Sequence, residues 1–172
     1  MKADYAQILD GCRRNDRRAQ KALYDEFAPM AMGVCMRYAS DRDAAQDLMQ
    51  DGFIRVFEHI GTVQQPQSLG AWIHRTMVNV CLRDFRRRKL QLADITAAED
   101  NTTLPLDPFA GQEIVLALQQ LPPAQRTAFN LIEVEGYSYS EAAGQLRCSE
   151  VNLRSLVCRA KTELRKILKH NR

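Results

Sequence analysis

The stretch from Tyr137 to Lys169, YSYSEAAGQLRCSEVNLRSLVCRAKTELRKILK, constrains the fold more than any other part of the chain. Ser138 with Glu141 three residues on has the form of a capping box, in which hydroxyl and carboxylate satisfy orphan amides at a helix start. Ser149 followed by Glu150 signals a second start. Only Arg147 and Cys148 lie between the two, so the connection is a tight turn. Along the second helix Leu153, Leu156, Val157, Ala160, Leu164, Ile167 and Leu168 keep the i, i+3, i+4, i+7 rhythm of one buried face. Arg154, Ser155, Cys158, Arg159, Thr162, Arg165 and Lys169 share the opposite face. From Leu153 to Arg172 there are seven basic residues and one acid, Glu163. A capped helix, a tight turn and a basic capped helix together form a helix-turn-helix, whose second helix suits the major groove.

The rest of the chain also reads as helical. Val and Ile are few and no segment alternates with period two, so the expected fold class is all-α. Two small helical domains joined by a flexible acidic linker are expected, spanning 1–90, 91–110 and 111–172. Charge marks the division: residues 1–89 hold 15 basic and 11 acidic side chains, 90–113 hold no basic and 5 acidic, and 114–172 hold 9 and 5. Two basic units around an acidic connector suit two contacts with one polyanion. No run approaches the roughly 18 apolar residues of a membrane span, and the N-terminus lacks an apolar signal core, so a cytoplasmic protein without membrane insertion is expected. Cys12, Cys35, Cys81, Cys148 and Cys158 are odd in number and contain no C-x-x-C pair, which suits reduced thiols.

In chain order, a short helix over 4–14 precedes a longer one from about Arg17 to Tyr38, capped by Asn15 or Asp16, with Pro29 as a point of kinking. The helix from about Asp43 to Ile60 places Ala44, Leu48, Gly52, Phe53, Val56 and Phe57 on an apolar arc. Asp43, Asp47, Gln50, Asp51, Ile54 and Glu58 gather opposite. Stacked acids repel in water by a few tenths of a kcal/mol per pair. They form either a plain solvent face or a docking surface for a basic partner with Ile54 as apolar anchor.

Gly61–Ser68 is a polar loop. In the helix that follows, from about Leu69 to Lys89, Trp72, Arg75, Asn79, Arg83 and Arg86 recur every three or four residues, with Arg87 and further basic residues at its end. An aromatic, an amide and guanidiniums in one row suit base stacking and a phosphate backbone; Trp72 is open to either a core or a stacking role. Residues 90–110 lose the helical rhythm. Ile114, Leu118 and Leu121 then share a face, and a helix from Pro123 to Val134 ends at Gly136.

Four motifs in order resemble those of extracytoplasmic-function (ECF) sigma factors, promoter-recognition subunits of bacterial RNA polymerase. The family's A-E-D-L-x-Q-E-x-F is similar to Ala45–Phe53. W-L-x-x-I-A-x-N-x-x-x-D-x-x-R-R resembles the run holding Trp72, Ile73, Asn79, Asp84, Arg87 and Arg88. A-L-x-x-L-P-x-x-x-R and R-A-R-x-x-L-R resemble Ala117–Arg126 and Arg159–Arg165. The resemblance implies that Asp47, Gln50, Asp51 and Ile54 face the polymerase. It implies that Trp72, Arg75, Asn79, Arg83, Arg86 and Arg87, with the Gly61–Ser68 loop, take the single-stranded minus-ten element. Asn152, Arg154, Ser155, Cys158 and Arg159 would then serve the minus-thirty-five element. Core RNA polymerase, promoter DNA and an anti-sigma factor are the implied partners, with no cofactor, metal, catalytic residue or small-molecule substrate. Gly52 stands where the family carries a larger residue, Leu69 where it carries Phe, and Val151-Asn152 where Gly-Thr is common. Cys158 is either a redox-sensitive thiol or a small filler. The rival class is a one-component helix-turn-helix regulator that binds duplex DNA alone; a nucleic-acid enzyme is disfavoured, because His59, His74 and His170 have no ligand spacing.

Overall fold

The computed structural model describes residues 4–93 and 112–170, and every regular element among them is helical. α1 (Tyr5–Arg13) starts where the Asp4 carboxylate accepts the amides of Ala6 and Gln7. Asn15 turns left-handed at φ 57°, and Asp16 caps α2 (Arg17–Tyr38) by accepting the Arg18 amide at 2.8 Å. The expected kink does not break α2, which continues across Pro29. α3 spans Arg42–His59, and two single 3₁₀ turns, Ile60–Thr62 and Pro66–Ser68, lead into α4 (Leu69–Ala93). The 91–110 linker lies outside the described residues except at 91–93, which continue α4.

One compact unit is built from the described residues up to Cys35 together with Arg42–Cys81. Its core holds Leu9, Leu23, Ala31, Val34, Ala45, Leu48, Phe53, Val56, Ile73 and Met77, all buried. Aromatic rings extend it, with Tyr24 against Phe53 at a centroid distance of 4.6 Å and Tyr5 against Phe27 at 5.6 Å. Two glycines set its spacing. A Cβ on Gly52 would overlap the sulfur of Met77, which is fully buried, so the methionine fills the room that a larger residue at 52 would need.

A Cβ on Gly11 would collide with that of Ala19, and neither atom belongs to a side chain that can swing away. Gly11→Ala is therefore expected to lose about 1–3 kcal/mol through overpacking, outweighing the helix-propensity gain of about 1 kcal/mol. Urea unfolding followed by the fluorescence of Trp72, the single tryptophan and a member of the same unit, reads that loss directly.

The other unit comprises Met36–Asp41 and the described residues from Leu82 on. Within it α5 (Gln112–Gln119), α6 (Pro123–Phe129) and α7 (Tyr139–Leu146) all pack on α8 (Glu150–His170). Ala117, Leu118, Leu121, Ala160 and Leu164 form its buried cluster, with Phe129, Ile167 and Leu168 packed against them. Ile114 keeps the period of that face but is not buried with it, at 57% exposure. It sits in the first turn of α5, where periodicity gives the direction of a side chain but not whether a neighbour covers it. After α6 the backbone widens into a π-type turn over Asn130–Val134, with the Glu135 amide bonded five residues back to Asn130 at 2.9 Å. Gly136, at φ 73°, ends it in the left-handed region where a side chain would be strained.

Candidate nucleic-acid interface

The helix-turn-helix forms as its start signals indicate. Ser138 Oγ accepts the Glu141 amide at 3.2 Å while the Glu141 carboxylate accepts the Ser138 amide at 2.9 Å, a reciprocal box worth about 1 kcal/mol. α7 stops because Arg147 turns left-handed at φ 51°, and the Cys148 amide returns to Ala143 O at 3.1 Å. Ser149 then accepts the Asn152 amide at 3.2 Å and opens α8. Leu153, Val157, Ala160 and Leu164 are buried, whereas Asn152, Arg154, Cys158, Arg159, Thr162, Arg165 and Lys169 are exposed and Ser155 is half-buried. The pattern on the two faces of α8 is thus the one its sequence indicates, with Leu156, Ile167 and Leu168 only half-buried.

Arg154 is held in place by two contacts, an i,i+4 pair within α8 and a contact across the turn that spacing does not reveal. Its guanidinium lies 4.1 Å from the centre of the Tyr139 ring, and its Nη2 lies 3.7 Å from the Glu150 carboxylate. A cation over an aromatic face gains about 0.5–1 kcal/mol at an exposed site and restricts where the fork can point. Tyr139 is the first residue of α7, so only the turn geometry brings it to α8. Lys161 is instead drawn to Glu133 at 2.7 Å and is less available to a ligand.

On α4, Arg75, Asn79 and Arg83 are exposed, while Trp72 and Arg86 are half-buried. The single tryptophan is therefore neither a fully buried core residue nor an open platform. Arg86 is engaged, its Nη1 donating to the backbone carbonyl of Gln145 at 3.3 Å. Arg87 and Arg88 converge on Asp84, at 2.8 and 2.7 Å, which leaves one carboxylate shared by two exposed cations. Exposed ion pairs of this kind contribute at most about 1 kcal/mol and open readily to a phosphate.

On α3 the apolar face comprises Ala45, Leu48, Met49, Gly52, Phe53 and Val56. It is rotated slightly from the expected arc, because Ala45 and Met49 are buried and Ala44 and Phe57 are half-buried. Asp43, Asp47, Gln50, Asp51 and Glu58 are exposed, and Ile54 stands among them at 56% exposure.

Comparison with known proteins decides the family. Residues 23–91 match the sigma-70 region 2 model and residues 111–164 the sigma-70 region 4 model. The ECF RNA polymerase sigma factor SigM of Mycobacterium tuberculosis is 30% identical over 95% of this chain and 84% of its own length. The chain belongs to the ECF sigma factors. The RNA polymerase sigma-H factor of Pseudomonas aeruginosa is 27% identical over 94% of the chain and 92% of its own length. Among solved structures, the sigma factor RpoE of Bartonella quintana, in complex with the anti-sigma factor NepR, matches with a TM-score of 0.54 and 26% identity, covering 88% of this chain and 98% of that one.

As an ECF sigma factor the chain directs RNA polymerase to promoters, and the duplex-only regulator is not favoured. Sigma factors are initiation factors rather than enzymes. No helix among the described residues is long and apolar enough to cross a membrane.

Proposed function

We propose that this sigma factor joins core RNA polymerase through α3, opens and holds the minus-ten element through α4, and reads the minus-thirty-five element through α8. The observation that carries the reading is the exposed, base-competent face of α8 behind a fully capped turn, with Arg154 oriented by Tyr139. Asp47, Gln50, Asp51 and Ile54 form the polymerase contact, a charged rim around an apolar anchor. Asn79 bonds an extruded base edge, with Trp72, Arg75, Arg83, Arg86 and Arg87 along the strand. Asn152, Arg154, Ser155, Cys158 and Arg159 line the major groove. The two domains fall within 1–93 and 111–172, and the linker follows the end of α4 at Ala93. The protein works in the cytoplasm, catalyses nothing itself, and is held inactive by an anti-sigma partner, a role supported by the NepR complex of the Bartonella quintana neighbour.

The test is transcription in vitro with bacterial core polymerase and a promoter library. Defined starts sharing two spaced upstream elements are expected, and their absence would overturn the assignment. In the same assay, Asp47→Arg with Asp51→Arg should weaken core binding at least about tenfold by reversing the charge of the α3 face, while the helical circular dichroism stays unchanged. Equal core binding by the wild type and this variant would remove α3 from the interface.

A further inference from the structure

Val151 is the most exposed of the large apolar side chains among the described residues, at 80%, and packing gives it no role. It is the second residue of α8, and it heads the stripe that continues through Arg154, Ser155 and Cys158 at i+3, i+4 and i+7. Its direction is fixed, because the Ser149 cap locks the first turn through the Asn152 amide at 3.2 Å, and Glu150 and Tyr139 hold Arg154 one turn on. The first turn of a recognition helix is the part that reaches base edges. An isopropyl group there can neither donate nor accept a hydrogen bond. The major groove offers it one apolar partner, the C5-methyl of thymine.

We propose that Val151 is a specificity-determining residue that selects a thymine in the minus-thirty-five element through its 5-methyl group. This rests on the proposed placement of α8 in the major groove. The flanking polar side chains, Asn152 and Arg154, set the register, and Val151 adds a preference that no hydrogen bond supplies. Closing the groove over Val151 also removes an exposed apolar group from water, so the methyl contact gains on both partners.

The experiment uses the full chain with bacterial core polymerase. A library randomised in the upstream element first gives the bound consensus, and each thymine of that consensus is then replaced by uracil, which deletes only the methyl group. One such replacement is expected to weaken wild-type binding about fivefold, in line with loss of a single apolar base contact. The same replacement should act less on Val151→Ala, which keeps one methyl, and leave Val151→Ser unaffected, and Val151→Ser should relax the consensus at that position in the library. Their melting temperatures should equal that of the wild type, since the side chain is exposed. If every thymine-to-uracil change acts equally on wild type and variants, the methyl contact is overturned while the groove placement stands. Should Arg154→Ala select the same sequences as wild type with equal affinity, the placement of α8 itself fails. Weakened polymerase binding by Val151→Ala in the absence of DNA would assign the side chain to a protein contact instead and overturn the proposal.

Discussion

Replacing Arg126 with alanine is expected to destabilise the unit that contains α8 by about 2–3 kcal/mol, the sum of stranded acceptors and lost packing. Arg126 is 3% exposed, and its Nη1 donates to Ala39 O at 2.8 Å and to Gln119 O at 3.2 Å. Ala39 follows the last residue of α2, where carbonyls have no partner within the helix. Two further side chains act in the same way: Asn130 Nδ2 donates to Arg37 O at 2.6 Å and Gln119 Nε2 to Met36 O at 3.2 Å. Three side chains thus satisfy the carbonyls of one helix end from within one unit.

The guanidinium holds this position at a cost. Burial pushes its pKa down to about 10, the nearby Arg88 adds to the shift, and Asp41 opposes it. The two hydrogen bonds from Nη1 must offset that desolvation alone, because Nε is buried without a hydrogen-bond partner among the described residues. Arg126→Met separates the contributions. It keeps the aliphatic stem and removes the donors and the charge, so it should recover the packing part of the loss and leave the acceptor part. Thermal unfolding of wild type, Arg126→Ala and Arg126→Met, followed by circular dichroism, orders the three. Equal melting of wild type and Arg126→Ala would show that the buried bonds contribute nothing net.

Arg126 also marks where sequence reading stops. It appears in the sequence only as the last letter of a family motif, and its acceptor at Ala39 lies 87 residues away. A single arginine on a short helix reads as solvated, and nothing local signals that it is buried. By contrast, both caps of the helix-turn-helix, the left-handed Gly136 and the two faces of α8 were legible, since each depends on residues within a turn or two of one another. Asp4, Ser138 and Ser149 all act within three residues of their own position. The contacts that orient the candidate site were not legible. Tyr139 meets Arg154 only because Arg147 turns left-handed, and Met77 meets Gly52 only because α3 and α4 pack together. Ile114 shows the converse, a residue with the right period that stays 57% exposed.

Leu153→Ala should be the most damaging single change within α8, costing about 3 kcal/mol or more, while leaving every proposed base-reading side chain in the sequence. Leu153 is fully buried four residues after the Ser149 cap, beside the turn and on the buried face of α8. A void there opens in the fully buried face of α8, and the surrounding backbone is fixed by the caps on either side of the turn. It therefore cannot collapse to fill the space, which is the condition for a large cavity term. Leu156 shares the apolar face but is only half-buried, so Leu156→Ala should cost roughly a third as much, in proportion to the apolar area it removes from contact. The pair tests whether the minus-thirty-five contact depends on the fold of the turn or on surface chemistry alone. Duplex binding by Leu153→Ala should fall steeply with rising temperature, in step with its unfolding transition, and recover on cooling. Arg154→Ala should instead weaken binding at every temperature, with the transition displaced by no more than its exposed contacts to Tyr139 and Glu150 allow, about 1 kcal/mol. If Leu153→Ala bound normally up to the wild-type transition, α8 would be held in place by something other than its buried face.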